Sequence, residues 1–262
     1  GAAPAFAAAR AAASRAAQRA CHLLVAGEPG TGKEALIRAL VADGPRAGAP
    51  LRLVNAGLTP ANMIESLMFG HERDSFPGAF ERRTGALQDC DGGTLVIDEI
   101  ERLPPALQHR LLQALHDRAV RPIGAERAVR TDVRLIAAID TPLAMLAADK
   151  SHSGALFDLL GQTVITVPAL CDRSGDVALL ARHFADRMPA GAGAITISDA
   201  ALAVIDRSTW RGNVRALQAF IFRAAANCPD GRLDSDHVAH LAERQARPAA
   251  LFAVPAAPLQ PG

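Results

Sequence analysis

Residues 27 to 34 read Gly27-Glu28-Pro29-Gly30-Thr31-Gly32-Lys33-Glu34, a G-x-x-x-x-G-K spacing that ends on a lysine. Glycines let backbone N–H groups wrap phosphate oxygens, and a helix that starts at the lysine adds the positive end of its dipole. The Lys33 ammonium then reaches the β and γ phosphates of a bound nucleotide. A second reactive pair, Asp98-Glu99, closes the apolar run Thr94-Leu95-Val96-Ile97. At the carboxyl end of a buried strand, Asp98 is suited to hold Mg2+ through water and Glu99 to polarise an attacking water as general base. Glu34 stands where a Ser or Thr hydroxyl usually touches the magnesium, so that contact has to come from water or elsewhere.

Groups of this kind need a sheet to position them. Apolar strand-like runs occur at His22–Ala26, Leu51–Val54, Thr94–Ile97, Val133–Ile139 and Thr163–Val167, with helical patterns between them. That alternation predicts βαβ units and a parallel sheet whose strands read as continuous apolar runs because helices cover both faces. After Pro168 the strand signal stops. Val177, Leu180, Phe184 and Met188 keep helical spacing, a helix from Asp199 to Asp206 follows the N-cap candidate Ser198, and Val214, Leu217 and Ile221 repeat the pattern. A last helix is expected from the cap Asp234 to about Arg244, before a tail punctuated by Pro248, Pro255, Pro258 and Pro261. The expected organisation is therefore an α/β nucleotide-binding part over 1–170, a small all-helical lid over 171–245 and a proline-rich linker or tail over 246–262.

Composition narrows the functional classes. The 262 residues carry 28 basic and 27 acidic side chains, for a formal charge of +1, so no global field draws the molecule onto nucleic acid or an anionic membrane. Aromatic residues make up 4% of the chain, with one Trp and no Tyr, too few for the stacking platforms of single-strand binders. Cys21, Cys90, Cys171 and Cys228 lie far apart and form no C-x-x-C pair, which argues for buried or idle thiols in a cytoplasmic protein rather than zinc or disulfides. No apolar run approaches the roughly 18 residues that span a bilayer. The Ala- and Arg-rich start, free of acids, superficially resembles a transit peptide, but a strand and the glycine loop follow at once, so it is read as a first helix.

From about Leu23 to Leu241 the chain resembles the central AAA+ domain of sigma-54-dependent transcription activators, the bacterial enhancer-binding proteins. The phosphate loop matches through Glu34, and Asp91-Gly92-Gly93-Thr94 leading to Asp98-Glu99 matches the family's second motif. Phe69-Gly70-His71-Glu72, followed by Phe76, Gly78, Ala79 and Phe80, looks like the sigma-contacting loop insertion. Asn55 sits where the family keeps an Asn that restrains the catalytic glutamate, and Trp210-Arg211-Gly212-Asn213-Val214-Arg215 resembles Trp-Pro-Gly-Asn-Val-Arg. The resemblance implies a P-loop AAA+ fold with a five-stranded parallel sheet and helical lid. It implies ATP or ADP with Mg2+ bound between sheet and lid, Arg215 as the sensor II arginine, Glu99 and Asn55 as catalytic residues, and Phe76, Pro77, Gly78 and Ala79 as a partner-contact loop. It further implies self-association into a ring or lower oligomer, a sigma factor of RNA polymerase as partner, and DNA contact only through a domain outside this chain.

Three departures from the family pattern shape the functional expectation. The loop tip reads Asp74-Ser75-Phe76-Pro77-Gly78-Ala79 instead of Gly-Ala-Phe-Thr-Gly-Ala, so Pro77 removes a hydroxyl and a backbone donor and fixes φ. The pair of trans-acting arginines before the last strand is missing: Ser153 and Leu159 occupy those places, no Arg occurs from Leu135 to Asp172, and Lys150 is the single cation there. A point-charge ammonium lacks the planar fork that grips a phosphoryl group. Loss of such a finger removes about 10³ to 10⁵ in rate, roughly 4 to 7 kcal/mol of barrier. Third, Ala137-Ala138-Ile139-Asp140 replaces Ala-Ala-Thr-Asn, turning an amide into a carboxylate that repels the γ-phosphate when ionised.

The sequence thus predicts a cytoplasmic ATP-binding module of a transcription regulator, an ATPase by fold with impaired hydrolysis, in which nucleotide acts mainly as a regulatory ligand. Two alternatives stay open: an active ATPase acting on sigma-54 polymerase, with its arginine supplied by another polypeptide in a mixed ring, and a generic AAA+ remodeller.

Overall fold

The computed structural model describes residues 1–148, 153–188, 195–228 and 231–238. The chain divides into two compact units, Gly1–Ser174 with the strip Arg211–Arg215, and Gly175–Trp210 with the chain from Ala216 onward.

The first unit opens with α1 (Pro4–Ala17), followed by β1 (Leu23–Ala26), α2 (Lys33–Ala42), β2 (Leu51–Asn55) and α3 (Ala61–Phe69). A short antiparallel pair, β3 (Gly70–His71) and β4 (Arg83–Thr84), frames the loop 72–82. Then come α4 (Ala86–Asp89), β5 (Thr94–Asp98), α5 (Pro105–Asp117), and a second small antiparallel pair, β6 (Ala119–Val120) and β7 (Val129–Arg130). The unit continues with β8 (Arg134–Ile139), α6 (Leu143–Ala148), α7 (Gly154–Gly161) and β9 (Val164–Thr166). Five strands form one all-parallel sheet in the order β2-β5-β8-β1-β9. These are the five apolar runs of the sequence, with ends that move by a residue or so. The two-residue ladders are additions that hydrophobic periodicity cannot detect, because it needs longer windows.

Side chains alternate between the faces of the sheet, and two apolar clusters result. Leu24, Leu95, Ile97, Leu135, Ala137 and Ile139 pack with α3, α5 and α7 on one side. Leu23, Val25, Val96, Ile136, Ala138 and Ile165 pack with α1 and α2 on the other. Every residue of β8 is buried, which explains the unbroken apolar run Leu135–Ile139 that follows Arg134. The first-helix expectation is met over Pro4–Ala17, where Ala9, Ala13, Ala16 and Ala17 form the buried stripe. Its last carbonyls are satisfied by Arg134, 2% exposed, whose guanidinium donates to the carbonyls of Ala16 (2.8 Å), Ala17 (3.3 Å) and Cys21 (3.2 Å). Cys90 and Cys228 are buried, whereas Cys21 and Cys171 are exposed, and none of the four forms a disulfide. Burial pushes the Cys90 thiol up to about 11.

The second unit contains α8 (Asp176–Asp186) and α9 (Asp199–Arg207), and α10 (Asn213–Asn227) enters it after Arg215. Ser198 caps α9 as predicted, its Oγ accepting from the Ala201 N–H at 3.3 Å. Trp210 packs edge-on against Phe220 and donates its indole N–H to the Ile205 carbonyl. The lid is not wholly helical, because β10 (Thr196–Ile197) and β11 (Arg232–Leu233) form a short parallel ladder. Helical backbone follows Asp234 from Ser235 to Val238. The rest of that expected helix, the proline-rich tail and Lys150 lie outside the described residues.

Candidate nucleotide site

The phosphate loop joins β1 to α2. Gly30 and Gly32 take φ of +77° and +100°, values that side-chain-bearing residues rarely adopt. Gly32 stands at the N-cap of α2 with no side-chain cap, and a Cβ added there would meet nothing within 4 Å. The first N–H groups of a helix have no partner within it, so an uncapped, open end is suited to oxyanions. Thr31 is 1% exposed and its Oγ1 donates to the Glu28 carbonyl at 2.9 Å, bracing the loop. Lys33 is buried at 7% exposure, and its Nζ donates to the carbonyls of Gly27 (2.8 Å) and Glu28 (3.2 Å) and to Asp140 Oδ1. Glu34 is not brought into this group: it is exposed, and its Oε1 accepts two hydrogen bonds from Arg38 one turn later.

The acidic pair closes β5. Asp98 is the last strand residue, and Glu99 breaks the strand with φ of +53° before the turn Ile100–Arg102. Asn55 ends the neighbouring β2 in register with Asp98, so one amide reaches both acids. Its Nδ2 donates to Asp98 Oδ2 at 3.1 Å and to Glu99 Oε1 at 3.3 Å, while its Oδ1 accepts from the Leu58 N–H. Arg102 holds the other glutamate oxygen, Nε to Oε2 at 2.5 Å. Gly57 makes room for that carboxylate, since a Cβ there would lie 2.3 Å from Oε2. Burial raises the Asp98 carboxyl above its ordinary range, and Asp140 and Glu99 push the same way against Lys33 and the Glu99 amide. A desolvated carboxylate beside a lysine and an open helix end fits Mg2+, which takes one or two protein carboxylates and fills its shell with water and phosphate.

Sheet order explains how Asp140 enters the group. Strand β8 lies between β1, which carries the loop, and β5, which carries the acids. The residue after β8 therefore stands between them, and its side chain pairs with Lys33. The sequence marked Asp140 as a departure but did not reveal its partner.

Two further side chains brace the loop, and sequence reasoning assigned neither a role. Asn213, 4% exposed, donates from Nδ2 to Glu28 Oε2 and to the Pro29 carbonyl, both at 3.0 Å, and accepts from the Leu170 N–H at 2.7 Å. Arg173 donates to the Thr31 carbonyl at 3.2 Å and stacks over Phe6. Asn213 was visible inside the Trp-Arg-Gly-Asn-Val-Arg run, whereas Arg173 had no motif to flag it. Arg215 is exposed, and its backbone N–H donates to the Gly30 carbonyl at 3.2 Å.

The loop 72–82 closes on itself. The Asp74 N–H donates to the Ala79 carbonyl at 2.7 Å, the Ala79 N–H to the Phe76 carbonyl at 3.0 Å, and Ser75 Oγ to the Glu72 carbonyl at 2.7 Å. Phe76, 37% exposed, packs edge-on against the buried His71 ring. Of the four expected contact residues, Ala79 is buried, so Phe76, Pro77 and Gly78 alone face outward. The most exposed aromatic of the loop is Phe80, at 80%.

Residues 1–166 match the family described as the Sigma-54 interaction domain, and residues 171–251 match the AAA+ ATPase lid domain. The chain belongs to the sigma-54 interaction domain family. Similar proteins include the Nif-specific regulatory protein of Azospirillum brasilense, 38% identical over 80% of this chain and 34% of that protein. The acetoin catabolism regulatory protein of Cupriavidus necator is 39% identical over 92% of this chain and 35% of its own length. This sigma-54 interaction domain therefore spans about a third of such relatives. Among solved structures, NtrX from Brucella abortus in complex with ATP superposes with a TM-score of 0.82 at 29% identity, over 95% of this chain and 58% of that one. Its complex with ADP gives 0.83 at 29% identity, over 93% and 55%. No described helix is long and apolar enough to cross a membrane.

Proposed function

We propose that this chain is the nucleotide-binding AAA+ module of a cytoplasmic transcription regulator in which ATP or ADP serves mainly as a regulatory ligand and hydrolysis is weak. The observation that carries the binding part is the convergence of Lys33, the uncapped end of α2 and Asp98 at one end of the parallel sheet. In this reading the loop amides and Lys33 hold the phosphates, Asp98 holds Mg2+, and Arg215 approaches the nucleotide. The metal, when bound, supplies charge neutralisation at the phosphates.

Weak hydrolysis follows from two independent features. No arginine lies between Leu135 and Asp172 to reach across to a neighbouring copy's nucleotide. Within the chain, Asp140 puts a carboxylate on Lys33 at the place where the family pattern has an amide. We assign Phe76, Pro77 and Gly78 to a partner-facing tip, altered by Pro77, for a sigma factor of RNA polymerase, and propose self-association through a ring or smaller oligomer.

A second reading has one observation in its favour: Asp98, Glu99 and Asn55 stay assembled, which a pure ligand sensor does not require. There the missing arginine comes from a different polypeptide in a mixed ring. Nucleotide titration of the protein and its Lys33→Ala variant tests the binding claim, and equal affinities would refute it. Phosphate release after mixing with an arginine-bearing relative separates the readings: stimulation selects the mixed ring, and unchanged slow turnover selects the regulatory ligand.

A further inference from the structure

We propose that Asp140 makes this pocket select a nucleoside diphosphate over the corresponding triphosphate. The inference rests on the nucleotide-binding reading above and specifies the ligand.

An ammonium has three protons to donate, and Lys33 has three acceptors. Two are the loop carbonyls of Gly27 and Glu28, and the third is Asp140 Oδ1. The pair is sheltered, with the lysine side chain 8% and the aspartate side chain 27% exposed. It is also held in place from behind: Glu101 Oε1 accepts from the backbone N–H groups of Asp140 (2.9 Å) and Thr141 (3.3 Å), which fixes the turn that follows β8. Asp140 thus answers the lysine charge before any ligand arrives.

In a loop of this type the lysine serves both the β and the γ phosphate. A diphosphate asks Lys33 for one interaction, which exchange of a loop carbonyl supplies while the ion pair survives. A triphosphate asks for a second and brings another negative group to the end of β8. That group has either to displace Asp140 or to lie beside a carboxylate left without its cation, and like charges brought together in a sheltered site repel strongly. An amide at the same position costs neither, because Asn keeps the shape and drops the charge.

The test is calorimetric titration with ADP and with a non-hydrolysable ATP analogue, each with and without Mg2+, on the protein and on Asp140→Asn. Asp140→Ser serves as a second variant, and thermal melts confirm folding. The proposal expects the unaltered protein to bind ADP at least about tenfold more tightly than the analogue. Both variants should gain about tenfold or more for the analogue and change little for ADP. Equal affinities in the unaltered protein, or a preference that both folded variants retain, would overturn the proposal and leave nucleotide binding standing. Loss of analogue affinity in the variants, confined to Mg2+, would overturn it by assigning Asp140 to the cation. Failure of both nucleotides to bind the unaltered protein would overturn this proposal and the reading beneath it.

Discussion

The phosphate loop and the loop 72–82 are both tight, glycine-containing turns with residues at positive φ, yet they are held in opposite ways. The phosphate loop is tied down from far along the chain: Asn213 reaches it across 185 residues, Arg173 across 142 and Asp140 across 107. Loop 72–82 is closed largely by neighbours, through Asp74 to Ala79, Ser75 to Glu72 and Phe76 against His71. Distant ties make the first geometry a property of the whole fold, so it resists change. The base of the second loop is tied to Ile123 through the Glu72 N–H, and local ties leave its tip free to vary, as the altered residues around Pro77 illustrate.

Alanine at one glycine of each loop sharpens that contrast most. At Gly30 a Cβ would lie 2.3 Å from the Gly212 carbonyl oxygen and 3.0 Å from the Arg215 Cβ, on a backbone with φ of +77°. Gly30→Ala should lower nucleotide affinity by about 100-fold and stability by roughly 2–3 kcal/mol, read by titration and chemical denaturation. At Gly78, φ is +101° but a Cβ meets nothing within 4 Å. Gly78→Ala should cost about 1–2 kcal/mol of local strain and leave nucleotide affinity unchanged. Equal effects at the two sites would break the comparison.

Removal of one tie from each loop gives a smaller difference. Asn213→Ala strips the Glu28 and Pro29 contacts and leaves the Leu170 N–H unpaired, which should weaken nucleotide binding by about tenfold and stability by about 1–3 kcal/mol. Phe76→Ala removes a half-exposed edge contact and should leave nucleotide affinity as it was, with under about 1 kcal/mol lost.

The last effect, set by pH, belongs to neither loop but to the opposite end of the sheet. Burial lowers the His22 pKa, with Arg46 and Arg134 acting the same way, and its Nδ1 accepts from the Leu135 N–H at 2.9 Å. Because the folded state resists protonation there, this contribution is present above the unfolded value of about 6.5 and is lost as pH falls below it, at no more than about 1.4 kcal/mol per pH unit. Denaturation midpoints of the protein and His22→Gln, compared from pH 7 to pH 5, should converge on acidification. Parallel curves would place the acid sensitivity elsewhere.

The sequence made the chemically loaded turns legible because their spacing is local. Lys33 lies six residues beyond Gly27, and Asp98 and Glu99 are adjacent at the end of an apolar run. The central strands β5, β8 and β1 were readable because a parallel sheet buries both faces there and leaves apolar stretches, whereas the edge strands β2 and β9 are largely exposed and showed as shorter or mixed runs. What escaped was set by topology. The order β2-β5-β8-β1-β9 puts Asp140 between the loop and the acids. Likewise, the Arg102 clamp depends on Glu99 turning into positive φ. Gly57 resembled any loop glycine until a carboxylate was found against it. In the lid, a ladder of two residues per strand is too short to imprint a period on the sequence.

The central claim is that the pocket holds nucleotide while lacking what splits it. Steady-state phosphate release by the purified protein alone, at saturating Mg-ATP and over a range of protein concentrations, tests it most directly. Turnover at least about 10³-fold below that of an arginine-bearing relative, with no rise as subunits are concentrated, is the predicted result. Release at the relative's own rate, increasing with assembly, would contradict the account.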